Sequence, residues 1–281
     1  MGYNILMSTD PHERTFGPVP SRRLGRSIGL NNVPPKQCTY SCAYCQLGPT
    51  RQLRAERCQL EPPEAVAQAA AERLERARRA GEQVDYLTFV ADGEPTLDLR
   101  LGQTLALLRP LGVPLAVITN GSLVDRPDVR SELLGADWLS LKVDAAEEPL
   151  WRRVNAPHPR LRFASIVAGM QQLAAAFEGE LTTETMLLAD INDSAEQVER
   201  TAQLVAQLAP RVAYLAVPTR PPARAWARPA TEAAIARAHR LFEAQGLPVE
   251  LLLGYEGDDF STTGDIRADL LGIVAVHPMR E

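Results

Sequence analysis

The amino-acid sequence predicts an α/β fold built on a parallel β-sheet. Short runs rich in β-branched and aromatic residues alternate with longer runs of helical periodicity along most of the 281 residues. This alternation is typical of parallel strands joined by right-handed crossovers. Several helical runs end at Gly or Pro, as helices commonly do. A doubly wound sheet and a full or partial (β/α) barrel both satisfy the pattern.

Strand–helix units followed by a final strand account for the pattern. In chain order, the predicted strands are 26–33, 85–91, 113–120, 137–144, 180–188 and 211–218, followed by the short segment PVELLLG. The helices predicted between them are PPEAVAQAAAERLERARRAG, LRLGQTLALLRPLG, RPDVRSELLG, RLRFASIVAGMQQLAAAFEG, SAEQVERTAQLVAQLA and TEAAIARAHRLFEAQG. β-Branched composition favours the strands, and apolar residues at helical spacing favour the helices.

Each distinctive segment of the sequence follows one of these strands. In order, the segments are PPKQCTYSCAYCQLG, DGEPTLD, NGSLVD, DAAEEP, LADIND and PTRPPARAW. In both candidate folds, the residues that act on ligands lie at the C-terminal ends of the strands. We therefore expect these loops to meet at one edge of the sheet and to form the functional site.

The composition is that of a soluble globular protein. Hydrophobic residues make up 45% of the chain and charged residues 23%, and no apolar run approaches the roughly 20 residues of a membrane span. The first residues lack the parts of a signal peptide, so we expect a cytoplasmic protein with no membrane partner. The net charge of −5 predicts no whole-molecule attraction to nucleic acid, although PSRRLGRS is locally basic.

Lysine is almost absent from the chain. Of the 30 Lys and Arg residues, only Lys36 and Lys142 are lysines. A genome that favours arginine codons explains most of this bias. The two side chains nevertheless differ chemically, because a lysine ammonium shifts its pKa readily and forms Schiff bases. We therefore expect at least one of the two lysines to be functional.

Three of the four cysteines, Cys38, Cys42 and Cys45, form a C-x3-C-x2-C group. Such crowding is unlike a secreted disulfide framework and indicates metal or redox chemistry. A structural zinc ion takes four ligands, usually from two knuckles, and Cys58 lies in an arginine-rich stretch without a second knuckle. Three thiolates suit a [4Fe–4S] cluster better, with one iron open to another ligand. Zinc and a group of reactive thiols are the alternatives.

The cysteine group, with Tyr44 directly before its last cysteine, resembles the signature of the radical S-adenosylmethionine (SAM) superfamily. GEP (Gly93, Glu94 and Pro95) resembles the family segment that binds the amino group of SAM. TNG at the end of the third strand and KVDA at the end of the fourth match the family in order and placement. The resemblance implies a partial (β/α)6 TIM-like barrel.

The resemblance also implies the cofactors and the reaction. In that family, three cysteines bind three irons of a [4Fe–4S] cluster, and the amine and carboxylate of SAM chelate the fourth iron. An electron from a reduced flavodoxin or ferredoxin cleaves SAM, and the resulting 5′-deoxyadenosyl radical abstracts hydrogen from a substrate. Cys38, Cys42 and Cys45 are the expected metal ligands. The class of substrate, whether small molecule, peptide or RNA, is left open.

Side chains at the next strand ends are further candidates. Glu94 is expected to accept the SAM ammonium, with a solvated turn carboxylate as the alternative. Asn120 is a candidate for the SAM ribose or carboxylate, although Asn-Gly is also an ordinary turn pair. In WLSLKVD, strand alternation places Lys142 and Asp144 on the face opposite the apolar residues, toward the barrel interior. Lys142 is a candidate for the SAM carboxylate or an anionic or carbonyl substrate, and a surface lysine is the alternative.

The later loops supply further candidates. Glu184 in TTETM is expected to point inward, either into the cofactor site or in a cross-barrel ion pair with Lys142. Arg220, in a loop stiffened by prolines, is a candidate for bidentate contact with a substrate carboxylate or phosphate; a structural salt bridge is the alternative. Lys36 is either an electrostatic neighbour of the cluster or a solvent-facing residue. Cys58 is predicted to be a plain thiol.

A closer resemblance extends from about Gly17 to Glu281. GPVPSRRLGRSIGLN, DGEPTL, TRPP and LLGIVAVHPMRE resemble iron–sulfur oxidoreductases related to the radical enzymes of wybutosine synthesis in transfer RNA. The chain lacks the extra cysteines of the wybutosine enzymes. For that reason a tRNA-modifying enzyme is kept only as an alternative, with Arg22 and Arg23 as candidate RNA contacts. A zinc-stabilised barrel that binds a partner without catalysis is the alternative from another class.

The expected domain organisation is simple. We expect one radical SAM barrel over residues 1–255, including an N-terminal extension at 1–25. Residues 256–281 are expected to form a small C-terminal extension. Its last residues have the pattern of a helix that has just begun, which is compatible with a truncated chain.

Overall fold

The computed structural model describes residues 14–90 and 92–253. Within them, the strands are β1 (Thr15–Ser21), β2 (Gly25–Leu30), β3 (Gln37–Cys38), β4 (Gln52–Leu53), β5 (Tyr86–Phe89), β6 (Leu115–Thr119), β7 (Trp138–Lys142), β8 (Glu180–Met186), β9 (Val212–Ala216) and β10 (Val249–Leu252). The α-helices are α1 (Pro63–Arg79), α2 (Leu101–Leu108), α3 (Pro127–Leu133), α4 (Glu148–Asn155), α5 (Phe163–Ala176), α6 (Ala195–Ala206) and α7 (Glu232–Glu243). Short 3-10 helices lie at Pro95–Leu97 and Arg109–Leu111.

Eight of these strands form the main sheet, in the order β1-β2-β5-β6-β7-β8-β9-β10. β1 pairs antiparallel with β2, and the other neighbours are parallel. β3 and β4 form a separate short parallel pair. The spatial order follows the chain order, whereas a doubly wound sheet reverses direction at a switch point. The sheet curls into a half-barrel, which confirms the partial (β/α)6 barrel.

Alternation along the strands separates two apolar clusters. Leu139 and Leu141 of β7 belong to the large cluster that includes the buried faces of the helices. Trp138, at the start of the same strand, belongs to a smaller inner cluster. The other buried members of that cluster are Leu24, Ala116, Tyr214, Ala216 and Leu252. Leu24 lies at the tip of the β1–β2 hairpin and is 3% exposed, so the hairpin tip packs into the curl of the sheet.

We expect Leu24→Ala to lower the free energy of unfolding by about 2–5 kcal/mol, because the substitution leaves a cavity in the inner cluster. Leu134→Ala is the matched control, since Leu134 is 45% exposed. Its expected effect is within about 0.5 kcal/mol. Urea unfolding curves of both variants measure the difference. Equal, small effects for the two would contradict the inner packing of Leu24.

Several elements differ from the sequence predictions, among them the short pair β3–β4, which was not predicted. β1 lies within the segment expected to be an N-terminal extension, and it joins the main sheet through β2. α4 lies where a loop was expected; its Pro149 occupies the first turn, the position at which a helix tolerates proline. The predicted C-terminal extension at 256–281 is outside the described residues. Among the described helices, none is long and apolar enough to cross a membrane.

Candidate active site

The cysteine loop, residues 36–48, packs against the GEP segment that follows β5. The backbone N–H of Lys36 donates to the carbonyl of Asp92 at 2.7 Å, and the N–H of Glu94 donates to the carbonyl of Gln37 at 3.1 Å. A Cβ atom at Gly93 would overlap the Gln37 carbonyl oxygen, so glycine is needed for this close approach. The loops after β2 and β5 therefore hold each other through their main chains.

The three clustered thiols are half-buried and lie near one another. Burial raises the pKa of all three, to about 12 for Cys38, and neighbouring thiols contribute to the rise for Cys38 and Cys42. Two amides contact the sulfurs at 3.5 Å: Nδ2 of Asn120 donates to Cys38, and Nδ2 of Asn155 donates to Cys42. Burial thus disfavours the thiolate form of these cysteines, and a coordinating metal ion favours it.

These residues fit a [4Fe–4S] cluster. Among the described residues, no three His, Cys, Asp or Glu side chains converge as the ligands of a single metal ion would. The three cysteines of a four-iron cluster do not converge on one point in this way, because each cysteine binds a different iron. Amide donors beside the sulfurs are one of the ways in which proteins adjust such clusters. Cys58 lies apart from the three clustered cysteines, and its backbone forms an isolated β-bridge with that of Asp98.

Glu94 is a buried carboxylate, 2% exposed, between the ends of β5 and β6. Its Oε1 accepts from the N–H and hydroxyl of Thr96, at 3.0 and 2.6 Å, and from the hydroxyl of Thr119 at 2.5 Å. Its Oε2 accepts from the N–H of Asn120 at 2.8 Å. Burial raises the pKa of Glu94, and these hydrogen bonds oppose the rise. Oε2 retains acceptor capacity for a cationic donor.

Asn120 connects the turn after β6 to the cysteine loop. Its Oδ1 accepts from the N–H of Ser122 at 2.9 Å, and its Nδ2 donates to the hydroxyl of Thr39 at 2.8 Å. Gly121 follows with a φ of 69°, which favours glycine. Asn120 therefore takes part in the turn after β6, and the same side chain lies beside Cys38.

A network around Asp144 holds the other side of the cysteine loop. Asp144 accepts from the hydroxyl of Tyr44 at 2.5 Å, from Nδ2 of Asn155 at 2.6 Å and from the N–H of Met186 at 2.8 Å. Since Asn155 also contacts Cys42, the network reaches the thiols. Sequence reasoning did not identify Asn155, because it ends the helix α4 that was expected to be a loop and no local motif distinguishes it.

Lys142, Glu184 and Arg23 form an ion network inside the curl of the sheet. The two oxygens of Glu184 accept from Nζ of Lys142 and from Nη1 of Arg23. The Lys142 and Glu184 residues are register partners on the adjacent strands β7 and β8, so the expected cross-barrel pair is a neighbouring-strand pair. Burial lowers the pKa of Lys142 to about 8. Arg23, named from the sequence as a candidate RNA contact, contacts Glu184 in the interior.

The remaining candidates lie at the rim. Nη1 of Arg220 donates to Oε1 of Gln46 at 2.7 Å, which brings the loop after β9 to the cysteine loop. The positive charge of Lys36 is among the influences that lower the pKa of Cys45, against the larger effect of burial. Arg22 is exposed and belongs to the β1–β2 turn rather than to this group.

The fold and the grouped cysteines correspond to a known family. Residues 32–205 match the model of the Radical SAM superfamily, so the chain belongs to that superfamily and is an enzyme. Its cofactors are a [4Fe–4S] cluster and SAM, which this superfamily uses.

Individual relatives extend the comparison. The chain is similar to UPF0026 protein MJ1312 of Methanocaldococcus jannaschii, with 42% identity over 268 residues, covering 95% of this chain and 83% of the relative. The structure of TYW1 with a lysine–pyruvate adduct bound matches with a TM-score of 0.60 and 16% identity, covering 79% of this chain and 75% of that chain. A radical SAM methyltransferase from Sphaerobacter thermophilus matches with a TM-score of 0.59 and 17% identity, covering 80% and 66%. At these identities the structural matches show the fold alone.

Proposed function

We propose that this radical SAM enzyme binds its [4Fe–4S] cluster through Cys38, Cys42 and Cys45 and acts on a substrate held in the barrel interior. The observation that carries the proposal is that the three thiols and the buried carboxylate of Glu94 lie at the same edge of the sheet. When bound, the cluster supplies the electron that cleaves SAM to methionine and a 5′-deoxyadenosyl radical, which removes hydrogen from the substrate.

Glu94 orients the methionine end of SAM in this proposal. Its Oε2 accepts a hydrogen bond from the ammonium, a charge-assisted contact in a site shielded from water. Gly93 allows the close approach to the cysteine loop, and Pro95 begins the 3-10 helix that Glu94 caps. Both residues therefore position Glu94. Asn120 acts from beside Cys38, where its backbone fixes Oε2 of Glu94.

The side chains on the opposite side have separate roles. Tyr44 and Asp144 position the loop that carries Cys42 and Cys45 through their mutual hydrogen bond. Lys142 and Glu184 present charge to the interior and bind the substrate or the carboxylate of SAM. Arg220, at the rim, binds an anionic part of the substrate, since a guanidinium pairs well with carboxylate or phosphate.

The residues around the site and a separate electron donor have the remaining roles. Inner-facing residues of the strands exclude water from the reacting atoms, which limits side reactions. A reduced flavodoxin or ferredoxin supplies the electron. Crowded free cysteines suit a reducing compartment, so we place the enzyme in the cytoplasm.

Anaerobic reconstitution tests the proposal. The full chain, supplied with iron and sulfide and then with SAM and dithionite, is expected to form 5′-deoxyadenosine and methionine in equal amounts. Chromatography measures both products, and metal analysis of protein purified without oxygen measures iron and zinc. Stoichiometric zinc without iron, together with no 5′-deoxyadenosine, would support the zinc-stabilised binding protein instead.

A further inference from the structure

Lys142 and Arg23 share one carboxylate, that of Glu184, within the half-barrel. The side chains of Lys142, Arg23 and Glu184 are 19%, 18% and 6% exposed. Arg23 comes from the β1–β2 turn, outside the segment 32–205 that matches the family. The Lys142 ammonium also lies 5.8 Å from the centre of the Tyr44 ring. An amine, a guanidinium and a shared acid thus meet in a mostly buried place.

A lysine at this position is informative because the chain otherwise uses arginine. Arginine forms salt bridges at least as well as lysine, but only lysine supplies an amine that becomes a nucleophile when it loses its proton. Burial and a neighbouring cation are the conditions that activate such an amine. Both apply to Lys142: burial lowers its pKa to about 8, the negative charge of Asp144 opposes this fall, and the positive charge of Arg23 adds to it.

The interior also contains a polar group without a protein partner. Ser140 precedes Lys142 by two residues on the same face of β7, and successive side chains on one face of a strand share their surroundings. Its hydroxyl is fully buried and has no hydrogen-bond partner among the described residues. Buried polar groups are normally satisfied, so this face suits a ligand with polar atoms.

We propose that Lys142 forms a Schiff base with a substrate that carries an aldehyde or ketone near an anionic group, and that Arg23 binds the anionic group. The inference deepens the proposed function by naming the class of substrate, and its catalytic meaning rests on that function. A guanidinium pairs well with a carboxylate or a phosphate, and the shared partner Glu184 places the guanidinium of Arg23 beside Lys142. A carboxylate and a phosphate ester share this chemistry.

The adduct forms without oxidation or reduction. Glu184 takes a proton from the Lys142 ammonium, and the free amine attacks the carbonyl carbon to form a new C–N bond. Glu184 then returns the proton to the carbonyl oxygen. Loss of that oxygen as water, with the second amine proton, gives the imine. The net reaction joins one amine and one carbonyl and releases one water, and it fixes the substrate covalently in the interior.

Reductive trapping tests the inference. The full chain with its reconstituted cluster, without SAM, is incubated anaerobically with cyanoborohydride and one of three probes: glyoxylate, glycolaldehyde phosphate or the neutral glycolaldehyde. Peptide mapping by mass spectrometry is expected to find the reduced adduct of at least one anionic probe on Lys142. Lys142→Arg is expected to abolish this adduct. The matched variant Lys36→Arg, which removes the other lysine, is expected to retain it.

A second pair of variants, Arg23→Gln and Arg22→Gln, tests the role of Arg23. Arg23→Gln is expected to slow labelling by the anionic probes about tenfold, as loss of one charge-assisted contact predicts, and to leave glycolaldehyde unaffected. Arg22→Gln on the same hairpin is expected to change neither rate. Labelling by only one of the two anions identifies the carboxylate or the phosphate as the recognised group.

Several outcomes would overturn the inference. The first is that the wild type forms no adduct, and the second is that Lys36 or the α-amino group is modified in preference to Lys142. The third is that Arg23→Gln leaves labelling by the anionic probes unchanged. Mapping of the wild type decides the first two even where a variant fails to fold. Because SAM is absent, these outcomes are independent of 5′-deoxyadenosine formation, so failure here is distinguishable from failure of the proposed function.

Discussion

Cys42→Ser is expected to remove the iron–sulfur cluster and to lower 5′-deoxyadenosine formation by more than about 100-fold. Mutation of a residue that only hydrogen-bonds to a metal ligand already lowers metal affinity or activity by about 10- to 100-fold, and Cys42 is itself a proposed ligand. Cys42 is the central cysteine of the loop, and Asn155 donates to its sulfur. A serine hydroxyl does not replace a thiolate as a soft ligand of iron. Iron and sulfide analysis, the visible absorption of the cluster and chromatography of the products measure the loss.

Cys58→Ser is the control for this substitution. Cys58 contacts Arg54 and is bridged to Asp98, away from the three clustered thiols. We expect this variant to keep its iron content and its product formation. If Cys42→Ser retained a full cluster and Cys58→Ser lost it, the assignment of the ligands would be wrong.

Glu94→Gln is expected to weaken SAM binding about 10- to 150-fold, which is the loss of one hydrogen bond to a charged group. Glutamine keeps the size of the side chain and can still accept hydrogen bonds from the threonines, but it removes the negative charge offered to the ammonium. Equilibrium binding of SAM to the reconstituted protein measures the change, and thermal unfolding tests whether the fold is kept.

Glu196→Gln provides the same change of charge at a surface position, since the Glu196 side chain is 70% exposed. Its expected effect on SAM binding is negligible. A second comparison, Thr96→Val, removes one hydrogen bond to Oε1 and leaves the carboxylate. We expect it to affect stability more than SAM binding. Equal SAM affinity in the wild type and Glu94→Gln would assign Glu94 a structural role alone.

The parallel strands of the main sheet, and the edge of that sheet at which the candidate site lies, were predicted from the sequence because both depend on local patterns. Strand alternation correctly separated Leu139 and Leu141 from the inner face of β7. The C-terminal ends of consecutive parallel strands necessarily meet, so the loops with cysteines, GEP and TNG were expected together. The spacing of the three cysteines alone left zinc open, and the resemblance of the neighbouring motifs to the radical SAM superfamily predicted the cluster.

The contacts that the sequence did not reveal depend on how distant segments pack. Arg23 reaches Glu184 across 161 positions of the chain, and the curl of the sheet brings them together. The ion pair of Lys142 with Glu184, one of the two arrangements expected for Glu184, forms between adjacent strands rather than across the barrel, because strand register places the two residues side by side. Asn155 contacts Cys42 only because α4 ends against the cysteine loop.

The main-chain contacts between the cysteine loop and GEP have a thermodynamic consequence. Gln37 and Glu94 are joined by a backbone hydrogen bond, as are Lys36 and Asp92. A shift of either loop therefore displaces the other. When two ligands bind coupled segments, each changes the affinity of the other by the same factor. Iron–sulfur loading and retention of SAM are therefore reciprocal quantities in this protein. SAM should protect the metal against chelators by the factor with which the metal tightens SAM.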